Sequence, residues 1–266
     1  MFYAIAKNKI DLRGYRFEHQ LEDIQTLNER ATRGELHISA ISIHAYAYVA
    51  DKYALLPCGA SMGDGYGPIL VRKTPSTKSQ IPNEEQLQNL TIAVPGKMTS
   101  AFLALQLYLG DFKHVIVPFD QIFDAVNRGD ADAGLIIHEG QLTYAKAGFE
   151  KIVDLGEWWK QETKLPLPLG GNVIRKDIPP DVRHDLLEIM RESIEFGLAH
   201  REEAVAHSMP YARDMNETLA SKFIGMYVND FTRDYGETGR TAIRKFLGDA
   251  KRAGYIDKLA EVEFAE

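Results

Sequence analysis

The sequence predicts an α/β protein of two lobes with a cleft between them, and three observations carry that prediction. Between His37 and Leu155 short apolar runs alternate with stretches of helical spacing, the rhythm of sheets covered by helices on both faces. Two breaker-rich segments, Thr74-Pro-Ser-Thr-Lys-Ser-Gln80 and Leu165-Pro-Leu-Pro-Leu-Gly-Gly171, enclose a middle stretch of about a hundred residues, a size a lobe can have. From Pro180 onward the pattern is helical alone. The chain is therefore expected to leave a first lobe (1–73), build a second (74–173) and return to the first (174–266). The alternation implies largely parallel sheets. Two α/β lobes joined by two crossings form a hinge and clamp, with the hinge expected near Lys73–Pro75 and Gly171–Asn172.

Each element has a local reason. Tyr15, Phe17 and Gln20-Leu21 read as strand-like up to Glu22-Asp23. Asp23 is placed to cap a helix from Ile24 to Arg33, whose Ile24, Leu27 and Ala31 share a face, and Gly34 stops it. His37 to Ile41 alternates as a strand. Ser42 then stands in a capping position before a helix from Ile43 to Lys52. Ala54 to Leu56 is a short strand. The glycines of Gly59-Ala-Ser-Met-Gly-Asp-Gly-Tyr-Gly67 match neither the dinucleotide fingerprint nor the P-loop, so the stretch reads as a turned connection. Ile69 to Lys73 is a strand.

The middle stretch opens with a helix over Glu84 to Gln88 and a strand over Thr91 to Val94. After the Pro95-Gly96 turn, Thr99-Ser100-Ala101 begins a helix that runs from Phe102 to Leu109. His114 to Val117 is a strand; Asp120 caps a helix from Gln121 to Asn127, which Gly129 ends. Ala133 to Ile137 and Lys151 to Leu155 are further strands, and Asn172 to Arg175 reads as the return crossing. Helices over Val182–His200, Glu202–His207, Leu219–Asn229 and Gly239–Ala253 complete the chain. Phe2, Tyr3 and Ile5 have helical spacing with no cap before them, so an N-terminal strand leading into this helix is expected to be missing from the first lobe.

Composition narrows the function. A chain of 266 residues with 45% hydrophobic and 26% charged residues is an ordinary globular protein. Its net charge of −7 argues against sequence-independent nucleic-acid binding, which needs a basic footprint. No run approaches the ~18 apolar residues of a membrane span. The single cysteine, Cys58, excludes an intrachain disulfide and fits a reducing, cytoplasmic compartment.

Chemistry is expected at the carboxyl ends of strands, where open α/β sheets hold ligands. The apolar run Ala133–Ile137 ends in His138-Glu139, and histidine can take a proton near neutral pH. Ser42 and Thr99-Ser100-Ala101 open helices whose free N–H groups and positive dipole end suit a carboxylate or phosphate. The structural alternatives stand beside these readings: a histidine that caps a strand, and hydroxyls that only cap helices. His44 is the reserve candidate for the base. No HExxH-like spacing marks a metal site, no G-x-S-x-G elbow is present, and no cofactor is expected.

Several motifs in order, Asp23-Ile-Gln-Thr-Leu-Asn28, Ala45-Tyr-Ala47, Ala93-Val-Pro-Gly96 with Thr99-Ser100-Ala101, Gly134-Leu-Ile-Ile-His-Glu139, Val153-Asp-Leu-Gly156 with Trp158-Trp159, and Leu165-Pro-Leu-Pro-Leu-Gly170, resemble the 1,4-dihydroxy-6-naphthoate synthases. The likeness runs from Met1 to beyond Asn229. It implies the two-lobed, type 2 periplasmic-binding-protein-like fold and a lyase of the futalosine route to menaquinone. That lyase acts on cyclic dehypoxanthinyl futalosine, a small carboxylate-bearing molecule, and releases a three-carbon fragment, dihydroxyacetone. It implies His138 as the base, and substrate contacts at Ala40-Ile41-Ser42 and at Ser100-Ala101 with Thr99 beside them, while Asn28 is a weaker carry-over. Ala40 stands where some relatives carry a lysine, so no side-chain role is expected there. A non-catalytic binder of small carboxylates and the chorismate dehydratase of the same pathway are the alternatives on this scaffold.

Overall fold

The computed structural model describes residues 1–74, 80–211, 216–257 and 261–265, so most of the breaker segment expected between Thr74 and Gln80, Pro75 included, lies outside the described residues. Its strands are β1 (Ile38–Ser42), β2 (Tyr53–Leu55), β3 (Ser61–Gly63), β4 (Ile69–Lys73), β5 (Thr91–Val94), β6 (Lys113–Ile116), β7 (Ala133–Ile136), β8 (Phe149–Asp154) and β9 (Leu167–Arg175). The first sheet has the order β1-β9-β2, with β3 also on β9; the second has the order β6-β5-β7-β4-β8. The α/β architecture is the one expected.

Among the named strands of the described residues, parallel pairing lies in the second sheet, where β5 lies between β6 and β7; the first sheet has only an isolated parallel bridge from Leu55 to Phe264. The two strands that arrive from the other sheet break the pattern. β9 enters the first sheet antiparallel to β1, β2 and β3, and β4 enters the second antiparallel to β7 and β8. A βα rhythm reports the direction of strands joined by local crossovers and not that of a returning strand, so a largely parallel first sheet was a wrong expectation. Leu167 to Arg175 is thus a nine-residue strand at the centre of the first sheet rather than a breaker followed by a crossing. Pro168 is accommodated where the register shifts opposite Ser61 and Met62, and this is where a missing N–H is tolerated. Gly171 and Asn172, where one hinge was expected, face Ile41 and Ala40 inside the ladder.

The helices are α1 (Tyr3–Ala6), α2 (Ile24–Thr32), α3 (Ile43–Tyr46), α4 (Glu84–Asn89), α5 (Ser100–Leu109), α6 (Ile122–Arg128), α7 (Gly140–Thr143), α8 (Leu155–Thr163), α9 (Pro180–Ala199), α10 (Arg201–Ser208), α11 (Glu217–Tyr227), α12 (Asp230–Arg233) and α13 (Gly236–Arg252). Asp23 caps α2 as expected, accepting from Gln25 N and Thr26 N. Gly129 closes α6 in the left-handed region at φ 83°, but Gln121, not Asp120, is its N-cap. α3 stops after one turn, and the turns that follow bring Val49 and Ala50 into the core ahead of β2. The expected strand around Tyr15 to Leu21 is absent: Tyr15 and Phe17 pack on the cluster of Leu186 and Met190 instead, and the Tyr15 hydroxyl donates to Asp185 at 2.9 Å.

One apolar core runs through both sheets. Ile41, Leu55 and Val173 from the first are continuous with Leu70, Ile92 and Leu135 from the second, through α5, Trp159 and Phe246. α5 is apolar nearly all round, and it packs against α3, β9, α8 and α13. A helix of the middle stretch is therefore wedged into the first sheet's surroundings, and its N-terminus stays where that core holds it. Among the described residues no helix is long and apolar enough to cross a membrane.

Candidate active site

The end of β1 is held by a buried amide. Asn28 of α2 is fully buried; its Oδ1 accepts from the Ser42 N–H at 2.8 Å, and its Nδ2 donates to Ser42 Oγ at 3.0 Å and to Met98 O at 3.3 Å. One side chain thereby fixes both Ser42 and the loop that leads into α5. Ser42 stands at the N-cap position of α3, as expected, but its side chain makes no capping bond. Because its oxygen accepts from Asn28, its hydroxyl hydrogen is left to donate elsewhere.

The start of α5 is fixed in the same way. Thr99 is the N-cap, accepting from Phe102 N at 3.1 Å and donating to Gly96 O at 2.8 Å, so its one hydrogen is committed. Ser100 Oγ accepts from the His44 N–H at 3.1 Å and keeps its own hydrogen to give. The first-turn N–H groups of Ser100 and Ala101 lie ahead of the intrahelical ladder, at the positive end of the dipole.

His44 ties the two starts together. Its Nδ1 lies 3.3 Å from Thr99 O and its Nε2 3.3 Å from the Tyr48 hydroxyl. A carbonyl can only accept, so Nδ1 carries the proton and Nε2 accepts from Tyr48. Burial pushes the imidazole pKa down to about 4, partly offset by the Thr99 carbonyl. The reserve candidate is a neutral clip whose two nitrogens are both engaged.

These ends converge on a cavity of about 330 Å³, within the range of small-molecule sites. Ala40, Ile41, Ser42, Thr99, Ser100 and Ala101 all line it. Of the remaining expected residues, Asn28 stands behind Ser42 and does not line it. His138 does not line it either, although its neighbour Ile137 and Gln141 do. The imidazole lies edge-on to Phe119 and Phe123, with ring centroids 5.7 and 6.0 Å away. Its Nδ1 accepts from the Gly140 N–H at 3.0 Å, with Glu139 Oε2 3.8 Å away.

Sequence reasoning missed the opposite wall. Gly170, Gly171 and Asn172 of β9 line the cavity, as does Gly59, and Phe223 and Tyr227 cover it from α11. Tyr227 donates to Gln141 Oε1 at 2.5 Å, tying α11 to α7, and burial raises its pKa. Phe223 and Tyr227 lie four residues apart on one helix face, a signal present in the sequence but indistinguishable from ordinary core spacing. Among the described residues no Asp, Glu, Lys or Arg side chain lines the cavity. A carboxylate placed here would meet N–H dipoles and hydroxyls and no competing carboxylate. Among the described residues no cluster of three or more His, Cys, Asp or Glu could hold a metal ion.

Comparison with known proteins agrees with this picture. A family model described as menaquinone biosynthesis matches residues 1–252. A 1,4-dihydroxy-6-naphtoate synthase of Thermus thermophilus is 37% identical over 254 residues, covering 96% of this chain and 90% of its own. One of Streptomyces coelicolor is 35% identical, covering 89% and 83%. Among solved structures, a protein of Archaeoglobus fulgidus superposes with a TM-score of 0.89 at 44% identity, covering 96% of this chain and 93% of that one. The periplasmic aliphatic sulphonate binding protein of Escherichia coli, at 12% identity and a TM-score of 0.59, shares the fold, with 90% and 82% covered. The two-lobed binding-protein fold is thereby shown.

Proposed function

The chain belongs to the menaquinone-biosynthesis family, and from that premise we propose that it is a carbon–carbon lyase converting cyclic dehypoxanthinyl futalosine to 1,4-dihydroxy-6-naphthoate with release of dihydroxyacetone. The observation that carries the reading is a likeness of 37% over nearly the whole chain to a synthase of that product. The cavity supports it, being walled by Ile24, Ile41, Leu169 and Phe223, which suit a flat aromatic nucleus, with helix-start donors at one end.

The substrate carboxylate is assigned to the Ser42 and Ser100 hydroxyls and the Ser100-Ala101 N–H groups, with Ala40 contributing backbone only. His138 is assigned the role of base. Because the Gly140 N–H points at Nδ1, the neutral ring holds its proton on Nε2. To take a proton from a molecule in the cavity, the ring turns away from Gly140 and brings Nδ1 to bear. Proton removal then lets a carbon–carbon bond break as the second aromatic ring forms, and the three-carbon fragment leaves. Asn28 acts by holding Ser42. Lobe boundaries are proposed at the crossings between β3 and β4 and between α8 and β9 rather than at 73/74 and 173/174, because β4 pairs in the second sheet and β9 in the first, and the cytoplasm is proposed from the lone cysteine.

Incubation with cyclic dehypoxanthinyl futalosine tests the reading. The naphthoate and dihydroxyacetone are expected in equal amounts. Tight binding of the substrate with no product would make the protein a binder on a shared scaffold.

A further inference from the structure

Asn172 is the one cavity-lining residue among those described whose buried side-chain amide has no protein partner at either end. It is 1% exposed, and neither its Nδ2 nor its Oδ1 makes a hydrogen bond. Its backbone is in order: it faces Ala40 across the β1–β9 ladder, and its carbonyl accepts from Leu56 N at 2.8 Å. A buried amide left unmatched is costly, and sequences remove such groups unless something binds them.

The surrounding backbone is built to admit this side chain. A Cβ on Gly59 would stand 2.0 Å from Asn172 Nδ2, and Gly59 has φ +83°, so both space and conformation require glycine there. On the strand itself, a Cβ on Gly171 would come within 2.6 Å of the Tyr235 hydroxyl. Gly59 thus makes room for the amide, and Asn172 lines the cavity together with Ser42 and Ser100.

We propose that Asn172 reads the sugar-derived, hydroxyl-bearing part of the substrate, not its carboxylate. A carboxylate only accepts, so it would satisfy Nδ2 and set an oxygen against Oδ1. The donors at the start of α5 already suit that group. An amide edge presents a donor and an acceptor side by side, and its complement is a hydroxyl, or a pair of them, that gives one hydrogen bond and takes another. In this arrangement the two ends of the substrate are recognised by two walls, the carboxylate by α5 and β1 and the polyol by β9.

This inference rests on the lyase reading, and the test separates the two. Asn172→Leu keeps the branched shape without the polar atoms, and Asn172→Ala, which only shrinks the side chain, serves if leucine does not fold. KM and kcat, calorimetric affinities for the substrate and for 1,4-dihydroxy-6-naphthoate, and Tm are measured against the wild type. Either variant is expected to bind the substrate roughly 10- to 100-fold more weakly. Affinity for the naphthoate, which lacks the polyol, stays unchanged, and Tm is equal or higher because an unmatched polar group has gone. A lower Tm with substrate and naphthoate affinities falling together overturns the proposal and makes Asn172 structural, and so does unchanged substrate affinity. If the wild type binds the substrate without turning it over, the affinity comparison still decides Asn172 and the lyase reading alone falls.

Discussion

Acidifying the protein should withdraw a defined amount of stability through His44. Its folded pKa of about 4 lies below the ordinary 6.5, because burial disfavours the charged ring. Between those values the unfolded chain binds a proton that the fold excludes. The stability that His44 contributes is therefore complete above pH 6.5 and is lost as pH falls toward 4. At ~1.4 kcal/mol per pH unit, the loss between pH 7 and pH 4 is roughly 3 kcal/mol. Other groups titrate over the same range, so the control is His44→Gln, whose amide can donate to Thr99 O and accept from Tyr48 without titrating. Urea unfolding of both proteins at pH 7, 6, 5 and 4 should show the wild type losing that roughly 3 kcal/mol relative to the variant. Parallel curves would refute the reasoning, since they would mean that the imidazole is protonated as readily folded as unfolded. A neutral clip also predicts that His44→Gln keeps the limbs of the wild-type pH–rate profile.

Four further variants test the geometry. His138→Ala should lower kcat by roughly 10²–10⁴-fold. Gly140→Ala, whose Cβ would stand 2.7 Å from His138 Cε1 and 2.8 Å from Phe123 Cε2, should displace the ring and lower kcat roughly 10²-fold; full activity in both removes His138 from the reaction. Ser100→Ala should weaken naphthoate binding by about 1–3 kcal/mol, read by calorimetry, if its hydroxyl meets the carboxylate. Asp154, the N-cap of α8, has a pKa that burial raises to about 6 despite the Gly156 and Glu157 N–H groups. Its ionised form costs the fold above that pH and not below the unfolded value, so Asp154→Asn, which keeps the capping oxygen, should have the higher Tm at pH 8 and converge with the wild type near pH 4. An Asn variant of lower Tm at pH 8 would show that the cap wants the charge.

What could be read from the sequence was what local chemistry decides. Asp23 and Thr99 announce their helices because an N-cap needs one oxygen within three residues. β5 and β7 stand out as apolar runs bounded by turn residues. β9 was hidden because Pro166, Pro168, Gly170 and Gly171 look like breakers, whereas the glycines answer to Ile41 and Tyr235, which are distant in sequence. The same limit applies to Asn172. That an amide lacks partners is a property of its whole surroundings, and nothing near it in the chain records it. For Ser42, its place at a strand end is local and legible, but the bond that orients it comes from Asn28, fourteen residues earlier in the chain.

Where the naphthoate sits is measured directly by a crystal structure of the complex with 1,4-dihydroxy-6-naphthoate. The carboxylate is expected within hydrogen-bonding distance of the Ser100 and Ala101 N–H groups and the Ser42 hydroxyl, with the rings between Leu169 and Phe223. A naphthoate bound instead in the groove between Asp23 and Phe119, or one whose carboxylate lies on Asn172, would contradict that placement.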